Sequence, residues 1–522
     1  MKVKTVLLFI IISFSGFHQL VLAQYERPEL NYMVSMPDPG GHRFHIALQV
    51  KGLNQDTLLF KMPEWMPGYY QLMNYAEDVD NISARYENKD SIPVSQINSN
   101  TWKIIIGRNE SFMLSYDVTS ERSFVAYSFL DTTHAYIVPA NNFLYIEGLL
   151  NLPVTVTINK NERLQWNRIA TGLERITGNH DTFTASDFDI LYDSPILIGN
   201  LQELSSFRVE GIEHRFIGYK IGSFDHELFI ENLSRVVEAA VTIFDDVPYK
   251  HYTFITIGPG RGGIEHLNNT TVSFNGNNIR NKQDMIRIMN FLGHEYFHNY
   301  NVKRIRPFEL GPFDYDNENR TYQLWVSEGL TVYYEYIIVR RAGIADEEVF
   351  LNNFERHINT LENNPGRFVQ PLSQSSYNTW DEGPFGGQGE NKNKTISYYN
   401  KGPVVGMLLD FTIRNATQNK KSLDAVMRLL YCKYYKKLQR GFTAAELQQD
   451  CESVAGTSLT QIFEYIYTTN ELDYDKYLHY AGLKLTKADI PDSQKKAYRY
   501  IIDRLEKPDS LQSAILKSWL DE

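Results

Sequence analysis

The chain has 522 residues and a mass of 60.6 kDa, which exceeds the usual size of one hydrophobic core and predicts two or three domains. Hydrophobic residues make up 43% and charged residues 22%, so the composition excludes a disordered or fibrous protein. The net charge of −11, with no long run of Lys and Arg, argues against nucleic acid as a partner.

The first 23 residues, "MKVKTVLLFIIISFSGFHQLVLA", predict a secretory signal peptide. Lys2 and Lys4 precede an apolar run from Val6 to Ile12, and cleavage is expected after Ala23. The run is much shorter than the roughly 20 residues of a membrane-spanning helix, so no membrane span is expected. We therefore expect a mature protein that is exported to the periplasm or the extracellular space.

The rest of the chain predicts a β domain followed by a more helical part. Residues 24–204 contain short alternating runs such as "HRFHIALQV" and "FMLSYDV" between turn clusters, which is typical of an antiparallel β domain. Residues 205–340 mix strand patterns with helices and predict a mixed α/β subdomain. Helical patterns dominate residues 341–486, and residues 487–522, including "DSQKKAYRYIIDRL", predict a charged helical tail.

Two cysteines lie in neighbouring helical segments that the turn "QRGF" separates. In an oxidising compartment Cys432 and Cys451 could form a disulfide, but spacing alone cannot establish the pairing. Both possibilities, a disulfide and two separate thiols, stay open.

The segment "HEYFH" at residues 294–298 is a candidate metal site. The preceding "DMIRIMNFLG" has the apolar spacing of a buried helix, on which His294 and His298 lie one turn apart on the same face. Their rings can therefore converge on one metal ion, while Glu295 points off the ligand axis as a candidate general base. The alternative is two ordinary histidines, because such a short motif also arises by chance.

A third ligand is found in "QLWVSEGLTVYYEYIIVRRAG". Glu328 opens a helix that is expected to end at Gly343, and its apolar neighbours, among them Trp325, predict a buried carboxylate. A catalytic zinc takes three protein ligands and leaves a fourth position for water. The sequence therefore predicts one zinc ion per chain, bound by His294, His298 and Glu328.

Five segments in order resemble the M61 glycyl aminopeptidase family, which is related to the M1 aminopeptidases of the gluzincin clan. They are "MPEWMPGYYQLMNYAEDV" at 62–79, "GGIEH" at 262–266, "HEYFH" followed by "NVKRIRP", "LWVSEGLTVYY", and "SYYNKG" at 397–402. The resemblance implies an α+β fold, with an N-terminal antiparallel β domain before a thermolysin-like zinc peptidase domain that has a helical C-terminal part. Family members commonly carry a PDZ domain next, and the tail here is too short for one.

The resemblance also implies roles for residues outside the metal site. Glu265 would bind the α-ammonium group of the substrate, and Gly262 and Gly263 would let the backbone approach the substrate closely. Tyr399 would donate a hydrogen bond to the oxyanion of the tetrahedral intermediate. Tyr398 is the competing candidate for that role and is expected to pack in the core instead.

A basic run, Lys303, Arg304 and Arg306, matches the family's "KRxRP" pattern. These side chains either orient the far end of the peptide or brace the site through salt bridges. Charged runs are usually solvated or paired, which favours the bracing interpretation.

The predicted function is that of an exported zinc aminopeptidase that removes a small N-terminal residue, with glycine and alanine favoured, from a peptide substrate. The first alternative is a zinc endopeptidase, which would need an open cleft without an ammonium-binding carboxylate. The second is a catalytically inactive peptide-binding protein, although such a protein has no physical reason to retain the general base Glu295.

Overall fold

The computed structural model describes residues 28–108, 110–160, 162–489 and 498–521. The predicted signal peptide, residues 1–23, lies outside the described residues. No helix among the described residues is both long and apolar enough to cross a membrane. Strands dominate the first part of the chain and helices the last part, so the predicted α+β fold is confirmed.

The largest sheet of the N-terminal part has eight strands. Alternation of apolar and polar residues buries one face of each long strand, as in Arg43–Lys51. Its order is Glu174–Arg175, Thr182–Ala185, Val154–Asn159, Glu29–Ser35, Arg43–Lys51, Phe112–Thr119, Val79–Tyr86 and Ser91–Ile92. Neighbours are antiparallel except for Glu29–Ser35 and Val154–Asn159, which run parallel. The predicted antiparallel β domain therefore holds with this one exception.

Two smaller antiparallel sheets complete the N-terminal part and share its hydrophobic core. The five-stranded sheet has the order Arg168–Thr171, Ile196–Gly199, His134–Ile137, Tyr127–Leu130 and Glu121–Phe124. The four-stranded sheet has the order Tyr145–Ile146, Thr57–Lys61, Thr101–Ile105 and Val94–Gln96. The same core takes in Ile217, Ile255 and Ile264 of the next sheet, so the two halves of the molecule pack through apolar side chains.

A six-stranded mixed sheet follows and leads to the candidate site. Five strands lie in the order Gln202–Glu203, Ile212–Gly218, His251–Thr256, Asn269–Val272 and Gly263–Glu265, and Phe207–Val209 also pairs with Ile212–Gly218. Gly263–Glu265 is the last strand of this order and therefore lies at the edge of the sheet. An edge strand can pair with an extended peptide through its backbone.

The helical part packs around a second hydrophobic core. Its longer α-helices are His226–Phe244, Lys282–Phe297, Thr331–Arg341, Glu347–Glu362, Tyr398–Ala416, Leu423–Leu430, Ala444–Ala455, Thr460–Tyr467 and Ser510–Asp521. Its shorter α-helices are Leu372–Tyr377, Thr379–Glu382 and Tyr474–His479, and its two π-helical segments are Trp325–Leu330 and Tyr431–Leu438. Two further short helices, Pro139–Asn142 and Phe188–Tyr192, belong to the N-terminal part.

The tail corrects the prediction of a helix over "DSQKKAYRYIIDRL". Tyr498–Arg504 is a strand that pairs antiparallel with Leu483–Asp489, and within the described residues the tail is helical only at Ser510–Asp521. Tyr500 and Ile502 are both buried, which is the two-residue period of a strand. Of the two cysteines, Cys432 is exposed and Cys451 is buried, and neither forms a disulfide.

Candidate active site

His294 and His298 lie at the end of the helix Lys282–Phe297. The helix begins where the Asn281 side chain accepts a hydrogen bond from the Asp284 N–H, and His298 is its C-terminal capping residue. Both histidines are buried, and their Nε2 atoms lie 3.0 Å apart. The four-residue spacing therefore brings the two rings to one point, as predicted from the helical period.

Glu328 reaches the same point from a neighbouring helix. Its Oε2 lies 3.6 Å from Nε2 of His294 and 3.2 Å from Nε2 of His298. The predicted helix through Glu328 is present, but it starts as a π-helical turn, Trp325–Leu330, before continuing as Thr331–Arg341. Such turns are rare overall, and those that do occur are frequently found at functional sites.

A close helix crossing brings Tyr399 to Glu328. A Cβ atom on Gly329 would lie 2.7 Å from the Cα of Gly402, so the π-helical turn and the helix Tyr398–Ala416 touch backbone to backbone. The Tyr399 hydroxyl donates a hydrogen bond to Glu328 Oε2 at 2.8 Å. Tyr398 is buried and its hydroxyl is hydrogen-bonded to Thr379, so this tyrosine packs in the core as expected.

Both histidines are oriented through their other ring nitrogen. Nδ1 of His294 donates to Oε2 of Glu335 at 2.8 Å, and Nδ1 of His298 donates to the Asn301 carbonyl at 2.7 Å. These bonds turn the Nε2 atoms towards Glu328. Burial lowers the pKa of His294, but its hydrogen bonds to Glu328 and Glu335 prevail and raise that pKa well above its usual value. The site therefore favours a positive charge.

The donor set fits a zinc ion. Two imidazole nitrogens and one carboxylate oxygen, each from a buried side chain, converge with all three donor atoms within 4.8 Å of one another. In the part of the chain that the structure describes, this is the one such group of His, Cys, Asp or Glu. Two nitrogens and one oxygen match the three protein ligands of a catalytic zinc.

Glu295 lies beside this group in a buried environment. Burial is the main cause that raises the pKa of Glu295 to about 7, against the lowering effect of His294 and His298. Among the described residues its Oε2 has no hydrogen-bond partner. A Cβ atom on Gly263 would overlap the Glu295 carboxylate, so glycine at this position keeps the edge strand close to the candidate base.

Glu265 ends the edge strand and is buried as well. Its Oε1 is also without a hydrogen-bond partner within the described ranges. Gly68 of the N-terminal part covers this carboxylate, since a Cβ atom on Gly68 would lie 3.0 Å from Glu265 Oε2. Gly262 has a φ of +93°, which favours glycine, and faces Val125 of the N-terminal part.

Two residues of the basic run brace the structure, and two of the run, Lys303 and Arg306, line one cavity. Lys303 forms an ion pair with the buried Asp193 at 2.5 Å. Arg304 donates to the backbone carbonyls of Leu267, Asn299 and Pro248. Arg306 stacks on Phe313 and faces Asp189 in a cavity that Glu265, Gly68 and Tyr70 also line. Lys303 and Arg304 therefore brace the structure.

Three residues of the site were not singled out by the sequence reasoning. Glu335 lies seven residues after Glu328, two helical turns further on the same face, and this spacing is a signal that the sequence carries. Gly68 and Tyr70 belong to the N-terminal motif "MPEWMPGYY". This motif contributed to the family resemblance, but no function was predicted for its residues. Burial raises the pKa of Tyr70, and the nearby charges of Glu328 and Glu265 add to the rise.

Comparisons with known proteins agree with this geometry. The model of the peptidase M61 N-terminal domain matches residues 31–200, and the model of the M61 glycyl aminopeptidase matches residues 287–405. Together the two matches cover more than half of the chain. A search of curated protein sequences found no match.

Solved structures with a similar fold are peptidases. An aminopeptidase N family protein from Idiomarina loihiensis is 25% identical, with a TM-score of 0.84, and the match covers 90% of this chain and 80% of that one. A mutant M1 zinc metallopeptidase from Deinococcus radiodurans, bound to a Tyr-Ser-Ala substrate, is 13% identical with a TM-score of 0.54 and covers 85% of this chain and 95% of its own.

A third structure, Legionella pneumophila aminopeptidase A in complex with aspartic acid, is 11% identical with a TM-score of 0.52, and the match covers 92% of this chain and 52% of that one. At 13% and 11% identity the last two structures bear on the fold alone. The family matches and the buried group of His294, His298 and Glu328 point to the same class of protein. The chain belongs to the M61 glycyl aminopeptidase family and is a metallo-aminopeptidase.

Proposed function

We propose that this protein is an exported zinc aminopeptidase that releases one small N-terminal residue, with glycine and alanine favoured, from peptides. The observation that carries the proposal is the buried Glu265 carboxylate, which has an oxygen without a hydrogen-bond partner among the described residues. A buried carboxylate without a partner is costly unless a ligand supplies the missing charge. A peptide's α-ammonium group is such a ligand.

The chain's own residues account for the steps of hydrolysis. A zinc ion held by His294, His298 and Glu328 would polarise the scissile carbonyl and make water more acidic. Glu295 would take a proton from the attacking water and deliver it to the leaving amine. The Tyr399 hydroxyl, which donates to Glu328 without substrate, would turn to the carbonyl oxygen and stabilise its growing negative charge.

The surroundings of Glu265 support a preference for small residues. Gly68 and Tyr70 lie over this carboxylate from the N-terminal part, and a cover this close to the ammonium-binding position would favour a small first residue. The edge strand Gly263–Glu265 would align the substrate backbone. Export rests on the N-terminal sequence, and one zinc per chain rests on the one convergent ligand group that the described residues contain.

The proposal is tested by removing the charge of Glu265. Glu265→Gln should keep the metal and the fold and lose about two orders of magnitude or more in kcat/KM on alanyl and glycyl peptides, since an unpaired buried ammonium costs about 2–5 kcal/mol. Glu348→Gln, at an exposed helix position, is the matched control and should be unchanged.

Acetylated peptides separate the alternatives. The wild-type protein should cleave peptides with a free N-terminus and leave their acetylated forms intact. Equal cleavage of both forms would establish a zinc endopeptidase instead. Binding of peptides without any turnover by the zinc-loaded protein would establish a peptide-binding protein.

A further inference from the structure

Phe385 is the most exposed large hydrophobic side chain among the described residues, at 76% of its full accessibility. It lies in the glycine-rich segment "GPFGGQG", residues 383–389, between the helices Thr379–Glu382 and Tyr398–Ala416. A phenyl ring in water is unfavourable relative to a packed one. The exposure of this phenyl ring therefore needs an explanation.

Hydrogen bonds hold the segment against the start of the helix Tyr398–Ala416. The Ser397 hydroxyl, from the capping residue of this helix, donates to the Pro384 carbonyl at 2.7 Å. The Gly387 N–H donates to Oγ1 of Thr395 at 2.8 Å. The backbone on both sides of Phe385 is thus anchored by hydrogen bonds, while its ring stays exposed.

The ring lies directly beside Tyr399. Their ring centroids are 5.5 Å apart with an interplanar angle of 32°, and the Tyr399 hydroxyl contacts Glu328 at the metal site. Tyr399 is half-buried, whereas Phe385 is exposed, so the path from Glu328 through Tyr399 to Phe385 leads from the metal site to solvent. Phe385 therefore lies on the solvent side of Tyr399.

The proposed function gives a bound peptide a direction in this site. Under the proposed function its ammonium group lies at the buried Glu265 and its first carbonyl lies between the metal site and Tyr399. The residues after the scissile bond must then run from the metal site towards solvent. Phe385 borders that exit, while the covered surroundings of Glu265 belong to the first residue.

We propose that Phe385 is a specificity-determining residue whose ring packs against an apolar side chain on the residue that follows the scissile bond. This inference rests on the proposed function and adds the second substrate position to it. A peptide with glycine after the scissile bond offers nothing for the ring to contact. Leucine or phenylalanine at that position would cover the ring and remove it from water.

The test uses amidated tripeptides Ala-X-Gly, in which X is glycine, leucine or phenylalanine, with release of alanine as the readout. The wild-type protein should prefer X = Phe over X = Gly. In Phe385→Ala this kcat/KM ratio should fall roughly tenfold, the size of effect that loss of one apolar contact produces. Phe385→Trp should retain the ratio, and activity on X = Gly should change little in either variant.

Two controls make the result specific. Ile105→Ala removes another exposed apolar side chain, at 61% accessibility on a strand of the N-terminal part, and should leave the ratio unchanged. A second series, X-Gly-Gly-amide with X = Ala, Leu or Phe, varies the first residue instead. A change confined to this series would place the ring at the first position and overturn the assignment.

The remaining outcomes of the kinetic test also decide whether Phe385 determines selectivity. An unchanged ratio in Phe385→Ala, or an equal fall for every tripeptide, would show that the ring has no role in selectivity. These results leave the proposed function intact. Failure of the wild-type protein to release alanine from any of the free tripeptides would instead reject the proposed function, and the inference with it.

Discussion

Buried glutamates in one small volume acquire different chemistry from their neighbours. Burial raises the pKa of Glu328, but His298 and His294 lie beside it and hold that pKa well below its usual range. Glu295 is buried too, yet burial prevails there and raises its pKa to about 7. A carboxylate that stays ionised suits a metal ligand, whereas one that titrates near neutral pH suits proton transfer.

The contrast predicts the behaviour of Glu295→Gln. The variant should keep its zinc, because Glu295 is not one of the three zinc ligands. Its kcat should fall by about 10²–10⁴-fold, the range for loss of a general base. Zinc content by mass spectrometry and kcat on alanyl peptides measure the two effects. Near-normal activity would overturn the assignment of the base.

The pH dependence of the peptidase activity also follows from the role of Glu295 as the general base. Glu295 must be ionised to accept a proton, so activity of the wild-type protein should fall as the pH drops below about 7, and a bound zinc ion should shift this limb to lower pH. The acidic limb should be missing from the residual activity of Glu295→Gln. Persistence of the same limb in the variant would assign it to another group.

Glu335 is predicted to tune the metal site without touching the metal. Glu335→Gln weakens the hydrogen bond that orients His294, and loss of such a partner typically lowers metal affinity by about 10–100-fold. Competition with a chelator gives the affinity, and Glu348→Gln on the next helix is the control. Equal zinc affinities in the variant and the wild type would contradict this role.

How far the site could be predicted depends on where each residue lies in the chain. His294, Glu295 and His298 share one helix, so their geometry follows from the helical period. Glu328 was predicted from its apolar neighbours and from the need for a third ligand. Tyr399 needed motif resemblance, because nothing local reveals which helices cross. The cover that Gly68 and Tyr70 form could not be predicted, since it depends on how the N-terminal part packs on the edge strand.

At the scale of elements, the crossing at Gly329 and Gly402 sets the distance between Glu328 and Tyr399. Gly329→Ala should force the helices apart, destabilise the protein by about 1–3 kcal/mol and lower kcat/KM by about 100-fold, because a displacement of about 1 Å has such an effect. Urea unfolding and peptide kinetics measure the two changes.

The matched control is Gly40→Ala, where the added methyl group would meet only a side-chain oxygen at 3.7 Å and a methyl carbon at 3.8 Å. This variant should unfold and turn over as the wild type does. If Gly329→Ala behaved like the control, the crossing would be loose enough to have no influence on the site.

The tail shows why one element was predicted wrongly. Its strand Tyr498–Arg504 pairs along one edge with side chains of the helix Glu347–Glu362: the Ile502 and Tyr500 N–H groups donate to Glu355 and Asn359, and Asn363 accepts from Tyr498. Four helical residues rise about 6 Å and two strand residues about 6.6 Å, so the two spacings match. These helix partners lie about 140 residues away and leave no local signal in the tail. The alternation of Tyr498, Tyr500 and Ile502 is a local strand signal that the helix prediction missed.

At the scale of the whole molecule, the N-terminal β part and the catalytic part meet in a buried ionic cluster. Asp193 follows the short helix Phe188–Tyr192 of the first part, and its carboxylate binds Lys303, His266 and the Leu267 N–H of the second. His266 adjoins Glu265, and Lys303 lies five residues after His298. The cluster therefore connects the packing of the two parts to the geometry of the site.

Asp193→Asn should weaken the packing of the N-terminal β part against the catalytic part. It leaves Lys303 buried without its counterion, which costs about 3–5 kcal/mol and lowers the urea midpoint. Burial raises the pKa of Asp193, but Lys303 and His266 outweigh it and leave that pKa below its usual value. The stability that the charge contributes is therefore present above about pH 4 and is lost as the pH falls through the folded-state pKa.

The difference in urea midpoint between wild type and Asp193→Asn should accordingly be large at pH 7 and should shrink below pH 4. Removing both charges in the double variant Asp193→Asn, Lys303→Met should restore part of the stability, because no buried charge is then left without a partner. Peptidase activity should disappear at a lower urea concentration in the single variant than in the double variant. Equal midpoints for both variants would show that the cluster contributes through hydrogen bonds alone, and that the two parts are held together by their apolar contacts.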